Sequence, residues 1–186
     1  MSTVTESPSA DEARPAQTRR GAQHARPVRS HALVTVTALA AAAGAIHAVA
    51  AVDHFDHYWL YGVFFVVLTY AQILWGIWVY RHPQDRRALV AGAVGSVAVS
   101  AVWFVSRTVG VPIGPDTWQP ERIGAMDFMA TLDQVVCAAL VAVLVAPESR
   151  FATRLRWLAG GHVLRVGIML CSASAFSLLL GSHDHR

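Results

Sequence analysis

The densest set of ligand-type side chains in the sequence is the segment HAVAAVDHFDH, residues 47–57, which holds His47, Asp53, His54, Asp56 and His57. On a helix, Asp53 and His57 stand at i, i+4 and His54 and His57 at i, i+3. Two side chains meet on one face at these spacings and can reach one metal ion. Imidazole suits zinc, copper, nickel and iron, and an added carboxylate leaves the choice open. His47 precedes His54 by seven residues, so both rings face the same way, about 10 Å apart along the axis. That is too far to share one ion without a bend. Solvation is the plain alternative for Asp53, His54, Asp56 and His57, because an aqueous loop holds such groups at no cost.

Two further groups fall near this segment. Asp127 is four residues inside its apolar run, about 6 Å deep, and His47 is about 7–8 Å deep in its own run. A level His–Asp pair would fix the ring tautomer, as the outer partner of a metal ligand does, or would accept a proton with no metal involved. The C-terminal His183-Asp184-His185 is a weaker candidate that could capture or deliver an ion. Deeper still, Asp133 lies about 15 Å inside its run, where a carboxylate is costly unless paired or protonated. Arg165 is the one basic residue inside a run, so an Asp133–Arg165 ion pair is expected. With Gln72 as another polar step, these groups also suit a proton or ion path.

These side chains must be positioned by long apolar segments. The chain has 186 residues, 54% hydrophobic and 15% charged, which is more apolar and less charged than a soluble domain. About 20 apolar residues cross a ~30 Å hydrocarbon core. Runs of that kind cover about 32–52, 58–80, 88–106, 123–146 and 157–180. The expected fold is an all-α integral membrane protein, a bundle of five transmembrane helices, or four if the last run, interrupted by His162 and Arg165, does not span. Residues 1–31 read as a disordered cytoplasmic tail, 32–180 as the transmembrane domain and 181–186 as a short extracytoplasmic tail. Gly92, Gly95 and Ser96 allow close helix approach. The loop 107–122, with three prolines, is either a lid over the outer cluster or a plain connector. Arg107 is expected to reach out to the interface.

All 15 basic residues are arginine. Eleven flank one side of the runs (five in the tail, three in 81–87, three in 147–156) and three the other, Arg107, Arg122 and Arg186. Basic residues favour the cytoplasmic side, so the N-terminus is placed inside and the C-terminus outside a bacterial cytoplasmic membrane. The rival for the first run is a cleaved signal peptide ending near Ala48-Val49-Ala50. Cys137 and Cys171 fall at different depths and read as packed hydrophobes.

No nucleotide-binding loop, hydrolase elbow or covalent haem motif is present, and the arginines form no basic face for nucleic acid. The leading expectation is therefore an outer-face site of His47, Asp53, His54, His57 and Asp127 that binds copper or zinc for handling or redox chemistry. One alternative is a proton- or ion-coupled small transporter using His47, Asp127, Asp133 and Arg165. Another is an accessory subunit of a larger membrane complex or a homo-oligomer. The lipid bilayer is the one partner expected in every case.

Overall fold

The computed structural model describes the backbone of residues 10–147 and 162–181 and the side chains of 29–147 and 162–178. His183 and His185 lie outside the described residues. Five helices follow in order: α1 (Ala10–His57), α2 (Trp59–Arg81), α3 (Arg86–Thr108), α4 (Ala125–Val145) and α5 (Val163–Gly181), with no strand among the described residues. The segments Arg29–His57, Trp59–Arg81, Arg86–Thr108 and Ala125–Val145 are long and apolar enough to cross a membrane. Among the described residues the apolar part of α5 is the shorter Val163–Leu178, and four long candidate spans stand there, the lower of the two numbers expected. The backbone of 10–28 is helical and continuous with the first span. This is the stretch expected as a tail; its alanines, arginines and glutamines are good helix formers that carry no apolar period.

α1 is the central helix, packing against α2, α4 and α5, and its span is the most buried of the four. Small residues make this approach close. A Cβ placed on Gly44 would sit 3.1 Å from the Ile73 side chain, and one on Gly76 would sit 3.6 Å from the Ala40 methyl. Gly167 of α5 similarly receives Thr35. Where lipid-like surroundings remove the usual hydrophobic drive, such close backbone approach is what holds helices together.

The packed core lies at the end opposite the loop 109–124. There Leu33, Val36 and Leu39 of α1 meet Val79, Leu89, Cys137 and Val141, all nearly inaccessible. Polar groups finish the helix ends on that side. Asp85 caps α3 by accepting from the amides of Arg87 (3.1 Å) and Ala88 (3.0 Å), while Trp78 donates to its other oxygen at 3.1 Å. The Ala88 amide first, then the Trp78 indole, hold the Asp85 carboxyl below its ordinary value. Arg86 donates to the carbonyl of Val145 (3.3 Å), one of the last carbonyls of α4, and Arg29 to that of Pro83 (3.2 Å).

α2 and α3 are sequence neighbours yet touch only sparsely. Their main contact is the Trp75 indole, which donates to the Ala88 carbonyl at 2.7 Å and lies on Gly92, where a Cβ would fall 2.0 Å from the ring. Gly92 thus accommodates a side chain rather than a helix backbone. A Cβ on Gly95, one turn on, would meet nothing within 4 Å.

Candidate functional site

The crevice between α2 and α3 contains two cavities, with α1 and α4 supplying the other walls. The first, about 470 Å³, lies toward the loop 109–124. Its walls are apolar: Leu60, Val63, Phe64, Phe65 and Val67 from α2 and Val99, Val102 and Trp103 from α3. Val63, Phe64, Val67 and Val102 are also exposed on the outside of the bundle, so the crevice opens sideways. One corner is polar and gathers His47, Arg107, Glu121, Asp127 and Gln134.

The turn of α1 places His47 and His54 on one side, as the seven-residue spacing predicts. Both rings pack on Phe65, with centroids 5.4 and 4.3 Å away, and both line this cavity. His47 is 5% exposed, and its Nε2 accepts from the Gln134 side-chain amide at 3.2 Å. His54 Nδ1 donates to the Ala50 carbonyl at 2.7 Å, which leaves Nε2 as its acceptor. His57 instead turns to the loop, with Nε2 3.0 Å from Asp116 Oδ2. Asp53 sits with His54 and His57 on a separate recess of about 360 Å³, joined there by Asp116 and Glu121. Among the described residues, no three His, Cys, Asp or Glu side chains stand close enough to hold one metal ion.

Asp127 does not pair with His47. Its Oδ2 accepts from Arg107 Nη2 at 2.5 Å, while Arg107 Nη1 pairs with Glu121. Level depth brings Asp127 and His47 to the same cavity but does not select the partner; a guanidinium across the helix pair outcompetes a neutral ring for a carboxylate. Arg107 therefore does not reach out to the interface: its side chain is only 8% exposed, held between two acids. The loop makes this clamp. Gly110 ends α3 in the left-handed region and returns its N–H to Val105, and the Glu121 amide donates to the Ser106 carbonyl at 3.0 Å. That turn brings Glu121 onto Arg107. Tyr61 fixes the other side of the loop by donating to the Ile113 carbonyl. Val111, Ile113 and Glu121 of the loop line the outer end of the large cavity.

The second cavity, about 240 Å³, lies deeper in the same crevice. Gln72, Ser96, Asp133 and Gln134 supply its polar groups, and Leu39, Trp75 and Cys137 its floor. Asp133 is fully buried, and its Oδ2 accepts from Ser174 of α5 at 2.7 Å. The expected Asp133–Arg165 pair does not form, because Arg165 lies on the exposed face of α5. Ser174 is level with Asp133, and Arg165 stands nine residues earlier on α5, about 13.5 Å along the axis and half a turn round, so both height and rotation keep it away.

Gln134 links the two cavities and is the residue that the sequence analysis does not single out. It stands seven residues after Asp127 and three after Thr131, so the three form one polar stripe on α4 that the helical period discloses. Five buried atoms around the two cavities have no hydrogen-bond partner among the described residues: Trp103 Nε1, Arg107 Nε, Gln134 Oε1, Gln72 Oε1 and Asp133 Oδ1.

Comparison with family models, curated proteins and solved structures returns no match for the chain.

Proposed function

We propose that the chain is an integral protein of a cytoplasmic membrane, with its N-terminus inside and the loop 109–124 outside, that binds an amphipathic small molecule from the bilayer. The four long apolar helices and the arginine distribution support the embedding and the orientation. The observation that carries the ligand reading is the 470 Å³ cavity with apolar walls, one polar corner and a sideways opening between α2 and α3. Small-molecule sites have this size, about 300–1,000 Å³, and this make-up. A molecule with a long or flat apolar body enters between α2 and α3 and turns its head toward Gln134.

The chemistry of the corner limits the head. One guanidinium faces two carboxylates, so the Arg107–Glu121–Asp127 clamp carries an excess of negative charge that repels an anion. The unpaired atoms are two donors, Trp103 Nε1–H and Arg107 Nε–H, and one acceptor, Gln134 Oε1. A neutral group that both donates and accepts answers all three. Its class is an alcohol or a phenol on an apolar body.

Trp103 lines the cavity and reports on it. The experiment titrates the purified protein, in mild detergent, with a brominated long-chain alcohol and reads tryptophan quenching. The alcohol should quench saturably, the Trp103→Phe variant should lose that component, and a brominated fatty acid of equal length should bind more weakly. Quenching that is linear in probe concentration and unchanged in Trp103→Phe would sink the reading.

Copper or zinc binding at the outer face is a second reading, favoured by the recess that Asp53, His54, His57, Asp116 and Glu121 line together. It needs side-chain rotations that break His57–Asp116. Metal analysis of the protein beside the His54→Ala/His57→Ala double variant tests it: stoichiometric metal lost in the variant supports it, and a wild type left empty after incubation with each ion removes it.

A further inference from the structure

We propose that the inner cavity is a hydrated proton half-channel through which Asp133 exchanges a proton with the outer side of the membrane. It rests on the membrane assignment and not on the amphipathic ligand.

Three observations carry it. First, three buried acceptors without a partner border the inner cavity. Gln72 Oε1, Gln134 Oε1 and Asp133 Oδ1 come from residues that line it, each atom is buried, and none has a partner among the described residues. Only a donor satisfies them, and a cavity that is roomy and has several polar partners holds water. Second, the cavity has an outer connection. Gln134 and Val99 line both cavities, so one amide separates the water around Asp133 from the outer corner. Third, the inward direction is closed. Leu39 and Cys137 belong both to the floor of the cavity and to the dense core with Leu33, Val79, Leu89 and Val141, and Trp75 packs against that core. The cavity also opens sideways past Ala71, Ala91 and Gly95, and its sealed inner end makes it a half-channel rather than a through path.

The proton balance is simple. A hydronium ion in the cavity gives its proton to Asp133 Oδ1 and becomes water; release is the reverse, and the site alternates between neutral and negative. Ser174 keeps Oδ2 in place by donating to it in both states. No cation pins the carboxylate, since Arg165 faces outward and the ion pairs among the described residues do not involve Asp133. The ionisable groups around it are Cys137 on α4, Cys171 on α5 and, through Gln134, His47 on α1. Gln72 of α2 and Ser96 of α3 complete the wall without ionising.

Infrared difference spectroscopy on the full chain in lipid nanodiscs tests this. A carboxylic-acid band should appear as pH is lowered, vanish in Asp133→Asn, and shift within the mixing time when H₂O is replaced by D₂O. Gly95→Leu should slow that shift by an order of magnitude or more with the melting temperature retained, because Gly95 borders the cavity and a Cβ there meets nothing within 4 Å. A second variant guards against misfolding of Asp133→Asn. In Ser174→Ala the same band should move, since one hydrogen bond to the carboxyl is lost. The proposal is overturned by the absence of any Asp133-dependent band, by a band that ignores D₂O for hours, by one indifferent to Ser174→Ala, or by equal exchange rates in Gly95→Leu and wild type.

Discussion

The two cavities lie in one crevice, share Gln134 and Val99, and differ in the polar atoms they leave unpaired. Of the buried atoms without a partner among the described residues, two donors and an acceptor stand around the outer one and three acceptors around the inner one, with Gln134 Oε1 common to both. Both open sideways, the outer past exposed valines and the inner past Ala71, Ala91 and Gly95, but only the inner one ends on the hydrophobic core. Position along a single helix pair therefore does not set the chemistry of a site. The helices behind it do: α3 and its loop bring Trp103 and Arg107 to the outer corner, and α4 with α5 brings Asp133 to the inner one. The same α2 wall lines both cavities.

The largest effect that would separate the two is expected from Arg107→Ala. It leaves Asp127 and Glu121 facing each other without a cation and frees the loop from α3. Removing one member of a buried ion pair costs about 3–5 kcal/mol, and the lower end applies because Glu121 is 40% exposed. Thermal unfolding in detergent should show that loss, with saturable alcohol binding abolished and exchange at Asp133 retained. Loss of both functions would mean that the outer clamp organises the whole crevice.

A smaller effect, about 1–3 kcal/mol, is expected from Gln134→Leu, which leaves the buried His47 ring without its partner. Because Gln134 belongs to both cavities, alcohol affinity should fall about fivefold, the worth of one neutral hydrogen bond. Carboxyl exchange should slow in the same protein. If one property changes alone, the cavities are independent and the shared amide is only a wall.

The smallest effect is expected far from both, at Asp85. Its folded pKa is depressed, so the cap contributes above the ordinary carboxylate value of about 4 and fades as pH falls through the lowered folded value. Amide protection in the first turn of α3 should drop in Asp85→Ala at neutral pH and drop in wild type only in strong acid. Alcohol binding and exchange at Asp133 should not change in either case; a change would show that the Trp75 end of the crevice is set by this cap.

Much of the scaffold was legible in the sequence. Four apolar runs became four long helices, the spacing of His47 and His54 put both rings on Phe65, and depth alone brought Asp127 to the cavity of His47. The partners were not legible. Helices that are apolar all round carry no stripe to show which side faces inward. Depth could therefore suggest Asp133–Arg165, but not that α5 holds Ser174 level with Asp133 and Arg165 away from it. The Arg107 clamp depends on the loop folding back through Gly110 and the Glu121 amide, a long-range closure that no local pattern announces. Gln134 was the one omission that the helical period could have supplied.

The hydrogen bond between His47 and Gln134 spans 87 residues of chain. At translation rates of about 5–20 residues per second, α1 waits roughly 4–17 s for the helix that satisfies its histidine. During that interval α1 must keep a polar ring beside lipid or inside the insertion machinery. A chain that stops after α3 leaves the same ring without that partner.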